Sequence, residues 1–178
     1  MASKLNKSIR KTQQYAIGGI AVVLGFDTHL PNGLNTLEIV RTSIDAPITG
    51  LTLDPDTEVI RLEFEENEAL FSDNTVIGAN RFPKHQLGMK FSGRDDEKNA
   101  IIKAMDLNRG TYIAKLTTGQ IVLLGGVNGL TSEKSDSGAG AKNEDFNGYD
   151  VLLGGAELEK APIVPAAVFA TLAARVAA

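Results

Sequence analysis

The chain has 178 residues, 43% of them hydrophobic and 22% charged, with 18 Lys+Arg against 22 Asp+Glu and a net charge of -4. That is chain enough for one domain with a real core, and it excludes both wholesale disorder and the basic surface of a protein that works by neutralising phosphates. No cysteine is present, so disulfides, thiolate metal sites and cysteine nucleophiles are ruled out, and two histidines, His29 and His85, cannot build a histidine-rich metal centre.

Residues 1–14 are polar and basic (Lys4, Lys7, Arg10, Lys11) and read as a flexible arm. Together with the apolar stretch Tyr15 to Phe26 they have the order of a signal peptide. Gly18 and Gly19 interrupt that stretch and no A-x-A site follows, so the reading is a strand after a basic arm, in a protein made in the cytosol. No run reaches the roughly 18 apolar residues of a membrane span. Ala16 to Leu24, rich in β-branched residues, predicts a buried strand. Pro31-Asn32-Gly33 and Asp54-Pro55-Asp56 predict turns on either side of a strand within Leu37 to Ile44.

The clearest alternation lies in Glu58 to Glu66, where Ile60, Leu62 and Phe64 interleave with Arg61, Glu63 and Glu65. Leu87, Met89 and Phe91 form a second alternation, the expected antiparallel partner of the first. The stretch 67–83 between them, carrying Leu70, Phe71, Val76 and Ile77, predicts an extended two-stranded flap. Ser92 to Asp95 has capping-box spacing, with acids in the first turn and an apolar stripe of Ile101, Ala104 and Met105, so a helix is expected over 94–108. Strands follow at 111–117 and 120–125 around Thr118-Gly119, with a possible continuation over 127–131. Glu133 to Asp145 reads as a mobile loop, Phe146 to Gly154 as the last strand, and Pro165 onward as an Ala-rich helix of 13 or so residues with a Val168, Phe169, Leu172, Val176 stripe.

Catalytic patterns are weak. Ser137 to Lys142 lacks the Lys-Ser/Thr ending of a phosphate loop, and Gly125 to Gly129 lacks dinucleotide spacing. Asp54, Asp56 and Glu58 alternate like the first ligands of a calcium loop, but Val59 stands where the glycine is required. Neither histidine has a serine or carboxylate at a suggestive spacing. Residues 54–73 hold eight acids and only Arg61 as a base, so this region repels polyanions.

The order of these features resembles the major tail tube proteins of long-tailed bacteriophages over residues 15–164. The resemblance rests on Ile17-Gly18-Gly19-Ile20, the two alternating segments with Phe71 between them, the flanking helix 94–108, Asn128-Gly129-Leu130-Thr131, and above all the closing Asp145-Phe146-Asn147-Gly148-Tyr149-Asp150-Val151, Gly154-Gly155-Ala156-Glu157 and Pro162. Pro165–Ala178 lies outside the family pattern, and residues 27–57 do not align with it.

The resemblance implies a mainly β fold, an antiparallel sandwich or barrel with one flanking helix, a long hairpin and extended termini. It implies a non-enzymatic structural virion protein that assembles in the host cytoplasm. Its hexameric rings stack into the tail tube through which DNA passes without specific binding. Tape measure, tail terminator and baseplate proteins are the implied partners, and neither cofactor nor metal is expected. Glu63 and Glu65 are expected to face the lumen, and Phe71, Val76 and Ile77 to form an inter-subunit flap. A baseplate hub, a tail terminator, the tube of a contractile injection machine, a ligand-binding β-sandwich or enzyme, and a secreted adhesin remain as alternatives.

Overall fold

In chain order the elements are β1 (Ile20–Asp27), β2 (Leu37–Val40), β3 (Gly50–Leu53), β4 (Ile60–Leu62), β5 (Ala69–Ile77), β6 (Arg81–Ser92), α1 (Asp96–Leu107), β7 (Gly110–Leu116), β8 (Ile121–Leu124), β9 (Thr131–Ala139), β10 (Asn147–Ala156) and α2 (Ala166–Ala173). They come from a computed structural model that describes residues 18–64, 68–139 and 146–176. The basic arm 1–14 and Glu65 lie outside the described residues.

The fold is mainly β and antiparallel. A first sheet runs β4-β1-β7-β8, a second runs β5-β6-β10-β9, and β2 and β3 form a separate ribbon. Alternation decides how the sheets meet. Val23, Leu62, Ala114 and Leu124 on the first sheet face Leu87, Met89, Phe91, Tyr149, Val151 and Leu153 on the second, and together they make the main core of a sandwich. The other face of the first sheet carries Leu24, Phe26, Ile113, Ile121 and Leu123. It is covered by Leu37 and Leu53 of the ribbon, by Ile48 and Val164, and by Leu172 of α2. With both faces covered, β8 is buried at all four positions and β7 at its first five. Hence these strands read as continuous apolar runs rather than alternating ones.

α1 closes one end of the sandwich, with Ile102 and Met105 buried in the main core and Ile101 packed against it. Ala104, expected in that stripe, is exposed. Its N-cap is Asp95, whose carboxylate accepts from the Lys98 backbone N–H at 2.7 Å. Ser92, expected to cap the helix, is instead the last residue of β6, because β10 holds that strand in register through Gly148–Ser92. The Lys98 backbone N–H and ammonium together hold the Asp95 carboxyl below its ordinary range.

The C-terminal extension is a third layer. α2 has eight residues, shorter than expected, and Val168 and Phe169 pack on the outer cluster while the Lys115 ammonium lies 5.9 Å from the Phe169 ring centre. Just past the helix, the Arg175 guanidinium donates to the carbonyl oxygens of Leu53 at 3.2 Å, Asp54 at 2.8 Å, Pro55 at 3.0 Å and Thr57 at 3.1 Å. A helix too short to persist alone is thereby pinned to the end of the ribbon and its turn.

Three expectations change. Among the described residues of the alternating segment at 58–66, strand spans Ile60–Leu62, and its partner is β1, through Val23–Leu62 and Gly25–Ile60, not the strand at 84–91. That strand pairs with β5 in a long hairpin instead, from Ala69–Met89 to Ile77–Arg81. Residues 131–139, expected to be partly strand and partly mobile loop, form β9 along β10; residues 140–145 of the expected loop lie outside the described residues. The strand expected within 37–44 ends at Val40, and β3 completes the ribbon.

If α2 is integral to the domain, Leu172→Ala should lower unfolding free energy by about 2–5 kcal/mol, the usual cost of emptying a packed leucine site. Urea unfolding should remain a single transition at a lower midpoint; an unchanged midpoint would show that α2 is an appendage.

Candidate functional surface on the second sheet

The second sheet has one face in the core and one toward solvent, so its outward side chains form an ordered polar surface. In β6 they are Lys84, Gln86, Gly88 and Lys90; in β10 they are Asp150, Leu152 and Gly154, fixed opposite by the pairs Asp150–Lys90, Leu152–Gly88 and Gly154–Gln86. β5 adds Leu70 opposite Gly88 and Ser72 opposite Gln86.

Three rows cross the strands. In the first, Lys90 Nζ reaches Glu68 Oε2 at 2.6 Å, and Lys134 Nζ reaches Asp150 Oδ2 at 2.6 Å and Asp136 Oδ2 at 3.2 Å. The hydrogen bond to Glu68 raises Lys90, and those to Asp150 and Asp136 raise Lys134, above the ordinary lysine value. The middle row is apolar, with Leu70 and Leu152 converging over Gly88. In the third, Ser72 Oγ donates to Gln86 Oε1 at 3.3 Å, Gln86 Nε2 donates to Glu133 Oε2 at 2.7 Å, and Lys84 Nζ pairs with Glu133 Oε1 at 2.6 Å. The Glu133 carboxylate lies directly over Gly154, where a Cβ would collide with it. Lys84 is the largest cause holding the Glu133 carboxyl below its ordinary range.

Both margins of this sheet are open among the described residues: β5 and β9 each pair on one side only. The β5–β6 hairpin extends past the core at Val76 and Ile77, the latter 74% exposed. Phe71, named with them in the expected flap, is half-buried against the main core. Glu63 follows β4 at the margin of the first sheet, its side chain 80% exposed and 3.6 Å from Arg61. The structure therefore separates these four residues into three places.

Other candidates have structural partners. His85 is buried; its Nδ1 accepts from the Gly125 N–H at 3.3 Å, which leaves the Nε2–H to donate to the Glu159 carbonyl at 2.9 Å. His29 is exposed in a short bridge to Asn35. Asp54 closes its own turn by accepting from the Asp56 N–H at 3.0 Å. Among the described residues no group of three or more His, Asp or Glu side chains is placed to hold a metal ion, and no helix is long and apolar enough to cross a membrane. The edge strand β9 and Glu133 were missed from sequence because nothing apolar alternates there.

Comparison of the chain with models of protein families, with curated proteins and with solved structures finds no match.

The Glu133 network makes a pH-dependent contribution. Its carboxyl titrates lower in the folded chain than in the unfolded one, so its stabilisation is complete above the ordinary carboxylate range and fades as pH falls through the depressed folded value. Glu133→Gln should therefore lower stability near neutral pH by up to about 1 kcal/mol. In urea unfolding the gap to the parent should close in acid, and a gap that persists there would assign the effect to packing.

Proposed function

We propose that the chain is a structural subunit of a bacteriophage tail tube, closing side by side into hexameric rings that stack around a DNA channel. The family resemblance of residues 15–164 supplies the identity. The observation that carries it physically is the second sheet, open at both margins while its solvent face is already paired within itself. Open strands are templates for pairing with another chain, and a contact from the β5 margin of one copy to the β9 margin of the next is heterologous. Such a contact closes into a ring if the rotation per step permits. The sheets then merge into one barrel, whose free face is the paired outer face of the second sheet.

In that geometry Glu68, Asp136 and Asp150, interleaved with Lys90 and Lys134, line the bore, and Glu63 at the margin of the first sheet goes to the flank. Three acids against two lysines leave such a lining one negative charge per subunit, so it offers a polyanion no basic surface to hold it, as a conduit requires. Val76 and Ile77, at the hairpin end, are placed to reach an adjacent subunit. A baseplate hub or tail terminator uses rings without long tubes, and a ligand-binding sandwich uses neither.

Negative-stain electron microscopy of the purified chain separates these readings. Rings or tubes with a central hole are expected, and a protein that stays monomeric at all concentrations would overturn the proposal. The variant Val76→Lys/Ile77→Lys should retain the parent's unfolding midpoint but lose stacked tubes. In assembled particles, Asp136→Lys/Asp150→Lys should slow DNA passage while Glu63→Lys/Glu65→Lys should not. The reverse result would return the lumen to the acids beside β4.

A further inference from the structure

A cleft of about 230 Å3 opens where β1, β4 and β7 meet α1. Its walls are apolar, formed by Ile60, Ile101 and Met105, while Asp27 and Glu58 are exposed in its lining. Continuing the β1–β4 register two residues beyond Gly25–Ile60 sets Asp27 opposite Glu58. Like charges directly opposite on neighbouring strands are destabilising, yet neither carboxylate has an ion-pair partner among the described residues.

The inner part of the cleft holds a second unfilled group. Tyr112 is 4% exposed and lines the cleft, and its hydroxyl has no hydrogen-bond partner among the described residues. Gly110 lines the same wall, and a Cβ there would run into Tyr112 Oη, so the hydroxyl end of the ring lies at the cleft surface. Burial, with a smaller contribution from Asp27, pushes the phenol well above its ordinary value, so it remains a neutral hydroxyl able to accept from a cation.

Two unpaired carboxylates, an unpartnered phenol hydroxyl at the cleft surface on an otherwise buried ring, and an apolar wall define one ligand chemistry. A bare divalent cation would want six or more oxygens around it and would gain nothing from the apolar walls. A guanidinium would match a carboxylate fork, whereas a compact ammonium on an aliphatic stem uses a narrow slot and two separate anions. We propose that this cleft binds an alkylammonium group, that of a small primary amine or of a lysine side chain, with its stem along Ile60, Ile101 and Met105. Its charge lies between Asp27 and Glu58, and one N–H donates to Tyr112 Oη. The site is independent of the tube reading and can be tested on the free subunit.

Amide NMR of the full chain, titrated with n-pentylammonium near neutral pH and low salt, reads the site at Gly110 and Tyr112. Saturable shifts there are expected, with 1-pentanol, of the same shape but uncharged, binding at least about tenfold more weakly. Glu58→Gln should weaken the amine about fivefold and Tyr112→Phe about threefold. Spectra unchanged away from the cleft will show that each variant folds. The source of the amine is read from Lys4→Gln/Lys7→Gln/Lys11→Gln: tighter binding of the probe means that the chain's own basic arm competes for the slot, and unchanged binding means that the amine comes from outside. The proposal fails if pentanol binds as well as the amine, if Glu58→Gln and Tyr112→Phe bind like the parent, or if the amine gives no saturable shift.

Discussion

The first sheet leaves no face for water, and most of the remaining architecture follows from that. Leu24, Phe26, Ile113, Ile121 and Leu123 project on the side away from the sandwich core. Burying each such side chain stabilises by about 1.5–3 kcal/mol, so together they rival the whole stability of a small domain. Something must cover them. The β2–β3 ribbon covers one part and α2 with Val164 covers another, which is why an Ala-rich segment too short to stay helical alone holds a fixed position. Because ribbon and helix are committed to the first sheet, the second sheet is the one left with a solvent face and open margins.

Buried polar groups then tie the layers together. The segment 157–164, which connects β10 to α2, passes beneath the hairpin and is held there at several points. His85 Nε2–H donates to the Glu159 carbonyl, Asp73 Oδ2 accepts from the Ala161 N–H at 2.9 Å, and Arg41 pairs with Glu159 at 2.7 Å. The Glu159 hydrogen bond raises Arg41 above its ordinary value. The Glu157 carboxylate, also buried, accepts from the Asn128 N–H at 2.9 Å. A displacement of the hairpin would therefore be felt by the connection to α2, since His85 and Asp73 each satisfy a backbone group of that segment.

How much of this is legible in the sequence depends on which physical term holds each element. β1, β7, β8 and β10 are held by apolar burial, and their residues announce it through apolar runs or through the Tyr149, Val151, Leu153 alternation. α1 is legible for the same reason, although a capping box at Ser92 and a cap at Asp95 differ only in whether β10 extends β6 by another pair. β4 is legible as a strand but not in its partner, because Ile60 and Leu62 fit any apolar face and only the closed sheet selects β1. β9 is illegible. Between Thr131 and Ala139 its residues are Ser, Glu, Lys, Asp and Gly, and it is held by backbone pairing to β10 and by contacts such as Lys134–Asp150 and Glu133–Lys84 that no local pattern encodes. The candidate site shares that division: Val76 and Ile77 stand out as apolar residues in a polar stretch, whereas the charged rows need the register of four strands before they exist.

That register also decides how the second sheet can associate. An exposed face with unpaired charges would attract or repel partners over a Debye length and would do so in any orientation. Here Glu68, Lys90, Asp150, Lys134 and Asp136 are paired with one another in place with one negative charge to spare, and Ser72, Gln86, Glu133 and Lys84 are paired one row away. Burying this face against another protein would cost the desolvation of every pair with little Coulombic return. The margins are the opposite case. A strand's free N–H and C=O groups are directional, they fix the register of whatever joins them, and the twist between neighbouring strands sets the angle of each added copy. The surface that is easiest to see in the structure is therefore the one least suited to holding a partner, and the strands at its two borders are where association acquires a direction.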